Sequence, residues 1–71
     1  MALSYGAYTN ARLHDLHKTQ GDLAEAIGYV RAYVSRAINN DNRAYKNVRA
    51  CIDAQLDAWE MEKEKEEPTN E

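Results

Sequence analysis

Between Gln20 and Asn39 the chain reads QGDLAEAIGYVRAYVSRAIN, two short amphipathic stretches hinged on one glycine, Gly28. In the first stretch Leu23, Ala24 and Ile27 fall on one side of a helix. In the second, Val34 and Ile38 share a face, and Arg31, Ser35 and Arg36 lie off it. Thr19 offers a hydroxyl at the N-cap, and Asp22 sits three residues on, near the positive end of the helix dipole. Gly28 follows Ile27 directly, where a left-handed backbone commonly ends a helix. The pattern predicts helices over Gln20–Ile27 and Arg31–Asn39. They cross steeply around a tight turn, with Ala24 as the small residue at the contact. The polar run Asn39-Asn40-Asp41-Asn42 stops the second helix.

The flanking segments also favour helix. A first helix is expected from Ser4 or Thr9 to His17, with Tyr5, Tyr8, Leu13 and Leu16 on its apolar side. Both Ser4 and Thr9 suit an N-cap, and Gly6 weakens the earlier start. A long last helix carries Val48, Ile52, Leu56 and Trp59 in one stripe, with Tyr45 a turn earlier and Asn42 as candidate cap. The stripe ends at Trp59 or Met61. Beyond it Glu60–Glu67 is polar on nearly every side, so fraying helix is expected there and disorder after Pro68. No useful β-alternation and no internal repeat occur. The expected fold is all-α, a compact bundle of four to five helices. Residues 1–61 form the domain, and 62–71 an acidic, largely disordered tail.

A chain of 71 residues is one domain with a small core. With 44% hydrophobic residues it is richer in apolar side chains than a disordered chain would be. No apolar run approaches the roughly 20 residues of a membrane span. Met1–Gly6 lacks the basic and apolar regions of a secretory leader, so none is expected. The single cysteine, Cys51, cannot form an internal disulfide. It is read as a small core residue beside Ile52, in a reducing, cytoplasmic setting. His14 and His17 have no cysteine or carboxylate cluster to complete a metal site. With no phosphate loop, nucleophile elbow or paired-carboxylate cleft, neither an enzyme nor a cofactor is expected.

Charge is distributed unevenly. The net charge is −3, yet residues 31–49 hold five cations (Arg31, Arg36, Arg43, Lys46, Arg49) against Asp41 alone. Residues 60–71 hold two lysines against six glutamates. A basic patch followed by an acidic end is an electrostatic footprint for phosphate, or equally a solvated polar face.

The spacing Gln20-x-x-Leu23-Ala24-x-x-Ile27-Gly28-x-x-x-x-x-Val34-Ser35-Arg36 resembles the helix-turn-helix of the Cro and lambda-repressor superfamily. Val34–Asn39 also resembles the second helix of lac repressor-type headpieces. The likeness spans about residues 8–58. It implies a sequence-specific DNA-binding regulator of phage Cro or Ner type, dimeric, that lays its second motif helix in the major groove of an inverted-repeat operator. Carried over residue by residue, it implies base reading by Arg31, Ala32, Ser35, Arg36 and Asn39. It implies phosphate contacts by Gln20, Tyr33, Arg43, Lys46 and Asn47. Arginine suits base reading because its two parallel donors match guanine O6 and N7. Three positions depart from the family pattern: Val30 stands where a small polar cap is usual, Tyr29 where a smaller aliphatic is common, and Ala37 where a larger apolar residue is common.

Leu56 and Trp59 lie where the last helix outruns a small bundle. They are expected at a homodimer interface or clamped on the first helix, the alternative being core alone. The rival function is a protein-interaction module, an antirepressor or antitoxin that keeps the fold and binds a protein partner such as a repressor.

Overall fold

A computed structural model describes residues 4–66, and all the regular structure in them is helical. The helices are α1 (Tyr5–Asp15), α2 (Gln20–Ile27), α3 (Arg31–Asn39) and α4 (Lys46–Glu66), with a single 3₁₀ turn at Arg43–Tyr45 before α4. The α2 and α3 limits match the sequence expectation. The expected disorder after Pro68 lies outside the described residues, whereas the backbone of 62–66 continues α4 as helix.

α1 begins at the earlier of the two candidate caps. Ser4 Oγ accepts from the Ala7 amide at 3.1 Å. Gly6 does not oppose this start, because α1 crosses the end of α3 there. A β-carbon on Gly6 would lie 3.0 Å from Asn39 Oδ1 and 3.2 Å from the Ile38 carbonyl. Thr9, the other candidate cap, is buried one turn further in, on the same face as Gly6 and Leu13. Tyr8 lies off that face and is exposed, contrary to the expected apolar side.

α1 also stops two residues early. His17 takes φ 59° and reverses the chain, so its amide reaches the His14 carbonyl and the Lys18 amide reaches Leu13. Gly28 does the same at φ 83°, with both its own amide and that of Tyr29 on the Ala24 carbonyl. The two ends share one backbone device, which glycine enters freely and histidine at a cost. The α2 start is a complete capping box: Thr19 Oγ1 accepts from the Asp22 amide at 3.1 Å, and Asp22 Oδ2 from the Thr19 amide at 3.0 Å.

The core joins Leu13 of α1, Leu23 and Ala24 of α2, Val34, Ala37 and Ile38 of α3, and Val48, Ile52 and Leu56 of α4. Two sequence expectations are corrected here. Leu56, expected at a dimer interface or clamped on the first helix with core alone as the alternative, has no exposed surface and belongs wholly to this core. Cys51, expected in the core, is exposed, because it falls one residue off the Val48–Ile52–Leu56 stripe on the solvent side.

Polar clamps bind α1 to α4. Arg12 donates to Glu60 Oε2 at 2.8 Å and to Asp57 Oδ1 at 2.6 Å, and its guanidinium lies over the Tyr8 ring. Tyr5 donates to Asp53 Oδ1 at 3.0 Å. Burial, and then that bond and the carboxylate's charge, push the Tyr5 hydroxyl up to about 12.

Two measurements follow from these features. Gly28→Ala should lower stability by about 1 kcal/mol and His17→Gly should raise it by a similar amount, since a β-carbon is disfavoured at positive φ. Thermal melts should move in opposite directions, by about 4–8 °C per kcal/mol. In alkali the unfolded chain releases the Tyr5 proton from about pH 10, while the folded chain holds it to about 12. Stability should therefore fall as pH rises through that window, and more steeply than in Tyr5→Phe, as followed by denaturant midpoints.

Candidate nucleic-acid interface

α3 buries Val34, Ala37 and Ile38, which cluster on one side of the helix. At 100° per residue, Arg31, Ala32, Ser35, Arg36 and Asn39 occupy an arc of about 140° on the other side. Arg31, Ala32, Arg36 and Asn39 are exposed, and Ser35 is half-buried. The structure thus brings the five expected base-reading residues onto one helix face.

They differ in how free their polar groups are. Arg31 and Arg36 make no side-chain hydrogen bond or ion pair among the described residues. Asn39 turns back on its own helix, donating from Nδ2 to the Ser35 carbonyl at 2.9 Å. Its contact with Ser35 Oγ is long, at 3.4 Å. Contact with another molecule would have to compete with those bonds.

The expected phosphate residues are split. Arg43, Lys46 and Asn47 are exposed around the start of α4. Gln20, at the start of α2, is half-buried and donates to Asn10 Oδ1 of α1 at 3.0 Å. The Tyr33 ring lies outside the α3 polar arc and is half-buried, stacked on Tyr29 at 5.3 Å and edge-on to Tyr45 at 5.6 Å. This row of three rings joins the α2–α3 turn to the 3₁₀ turn, a packing role that the pattern of single residues does not reveal. Trp59 is half-buried against the core, with Lys18 Nζ 4.9 Å from its ring centre. Trp59 thus closes over the segment that follows α1.

Arg49 belongs to a different class from the other cations of the basic stretch. Its Nε donates to the Ala37 carbonyl at 2.8 Å and its Nη2 to the Asn40 carbonyl at 2.7 Å. The guanidinium lies 4.1 Å from the centre of the Tyr5 ring, with exposed Asp41 3.6 Å away. Three elements meet at this one group. A helix end leaves carbonyls unpaired, and Arg49 supplies the donors that α3 lacks. Counting charges places Arg49 in the patch, but geometry assigns it to holding the patch in place. Asn42, the expected α4 cap, caps the 3₁₀ turn instead, accepting from the Ala44 amide at 2.8 Å.

The arrangement presents Arg31, Arg36, Arg43 and Lys46 as exposed cations on α3 and the segment after it. It can bind an extended anion by several separate contacts. Arg49→Ala should cost about 1–3 kcal/mol, because it strands charge-bonded carbonyls. Arg49→Lys should recover little of it, since one ammonium cannot span both carbonyls from the face of Tyr5. Chemical denaturation of the three proteins measures this. Comparisons of the chain with protein-family models, curated proteins and solved structures find no match.

Proposed function

We propose that this chain is a sequence-specific, non-enzymatic DNA-binding regulator that lays α3 in the major groove. It acts as a homodimer on an inverted repeat, as a phage Cro-type repressor would. The observation that carries the reading is the division among its arginines. Arg12 and Arg49 are each held by several bonds within the fold, whereas Arg31 and Arg36 stand exposed on α3 with no partner among the described residues. Long cationic side chains left free on the polar arc of a rigid helix are suited to reading guanine edges. Arg43 and Lys46, exposed beyond α3, would position the domain through phosphates without reading sequence. Dimer half-sites would lie about one helical turn, roughly 34 Å, apart. Leu56 is enclosed within one copy and is left out of the proposed dimer contact.

Selection of duplexes from a random pool, repeated at two salt concentrations, tests the reading. An enriched palindromic site is expected. Arg31→Ala and Arg36→Ala should each weaken binding to that site by about 1–3 kcal/mol and leave the melting temperature unchanged. Arg43→Ala and Lys46→Ala should weaken all sequences alike, each reducing the log–log salt slope by roughly 0.9. Failure of any duplex to enrich would sink the reading and favour a protein partner for the same face.

A further inference from the structure

α4 is apolar on two sides, and the fold covers only one of them. The covered stripe is Val48, Ile52 and Leu56 with the half-buried Trp59. Ala50, Ala54, Ala58 and Met61 repeat the same spacing two residues later, and all four are exposed. Two residues turn a helix by about 200°, so this second stripe faces away from the core. Cys51 is exposed beside it, and Met61 is 64% exposed. Among the exposed residues from 50 to 61 only Asp57 is charged, and it is bonded to Arg12 of α1. In a chain with 30% charged residues, a solvated face of three turns would carry more charge than that. A helix that is apolar on both sides is characteristic of one covered on both.

The charges at the two ends of this face select what covers it. The i, i+4 ridge through the alanines runs Lys46, Ala50, Ala54, Ala58, Glu62, and both charged ends are exposed. Its charges are opposite and its positions symmetric about Ala54. Exposed Arg43 extends the cationic end and exposed Glu64 the anionic one, while Lys63 is turned onto the Asp15 carbonyl of α1. A partner of one sign would match one end and repel the other. A second copy running antiparallel matches both. A twofold axis at Ala54 sets Ala50 against Ala58 and brings Lys46 to the end that carries Glu62, each pairing occurring twice. Parallel packing would set like charges side by side. Alanine at the contact lets helix axes approach to about 8 Å, and ridges of this i±4 kind interdigitate in the commonest class of helix packing. The Lys46 ammonium has three donors, so a carboxylate contact leaves it able to meet a phosphate as well.

We propose that the outer face of α4 is the homodimer interface, with two copies packed antiparallel about Ala54. This rests on the dimer of the reading above, to which it gives a surface and a register, and not on its DNA contact.

Sedimentation of the full-length chain without DNA tests it. The parent is expected to be a dimer that dissociates on dilution. Ala54→Glu should be monomeric yet still fold, as circular dichroism would show, since residue 54 is exposed and glutamate is a good helix former. Lys46→Glu and Glu62→Lys should each weaken the dimer about fivefold, through loss of two exposed ion pairs, and together should restore it. Ala54→Cys in a Cys51→Ser background should give a disulfide-linked dimer on oxidation. Cys51 of the parent, three residues from the axis, should not link to its counterpart, because its mate lies beyond disulfide reach. The proposal is overturned if the parent is a monomer throughout, or if folded Ala54→Glu still dimerises. It is equally overturned if the double reversal stays as weak as the single ones, or if Cys51 cross-links two parent chains. A dimer with these properties that enriches no duplex removes the DNA reading alone. An enriched duplex together with a dimer indifferent to Ala54→Glu removes this interface alone.

Discussion

A nine-residue helix leaves most of its backbone polar groups near an end, so its stability depends on how those ends are held. α3 starts without a side-chain cap, and at its end Asn39 and Asn40 donate to the Ser35 and Arg36 carbonyls and not to that of Ala37. Arg49 reaches back from α4 to the carbonyls of Ala37 and Asn40 and rests against Tyr5 of α1. One guanidinium therefore ties the end of α3 to the two helices that flank it. With that end secured and the opposite face buried through Val34, Ala37 and Ile38, the polar arc of α3 can stand clear without bonds of its own.

The same economy of length governs the other short helices. α1 and α2 have eleven and eight residues, and each closes with a left-handed residue that returns two amides to its last turn. Neither could form stably alone in water, since short helices do not repay their nucleation. They persist because α1 packs on α3, α2 packs on both α3 and α4, and the buried residues of all four helices share one core. The Arg12 and Tyr5 clamps then fix α1 against α4. Apolar burial supplies most of the driving force, and the buried or half-buried polar bonds select one mutual arrangement of the helices.

Much of this is legible in the residues. The Thr19–Asp22 capping box, Gly28 after Ile27, and the spacing of Leu23, Val34 and Ile38 each express a local rule, and the helix limits they imply for α2 and α3 agree with the structure. The face carrying Arg31, Ala32, Ser35, Arg36 and Asn39 is equally local, because helical periodicity places those residues together once the helix is granted. Misreadings arise where a local signal is weak or silent. His17 bends the chain without the glycine that would announce it. Gly6 reads as a helix weakener until α3 is seen to pass against it. Cys51 lies beside the apolar stripe in sequence but on the solvent side of the helix.

What the chain determines by itself is the set of helices, the tight turn between α2 and α3, and the array of side chains on α3, since capping, turn chemistry and periodicity act over a few residues. Only the tertiary structure decided which cations face outward. Arg12, Arg31, Arg36, Arg43 and Arg49 are the same residue in the sequence, and composition assigns them the same charge. Two are drawn inward because acceptors from distant segments converge on them: Asp57 and Glu60 on Arg12, and the carbonyls of Ala37 and Asn40 on Arg49. Those acceptors lie as many as 48 residues away along the chain, beyond the reach of any local pattern. They become neighbours only when burial of the apolar stripes brings the helices together.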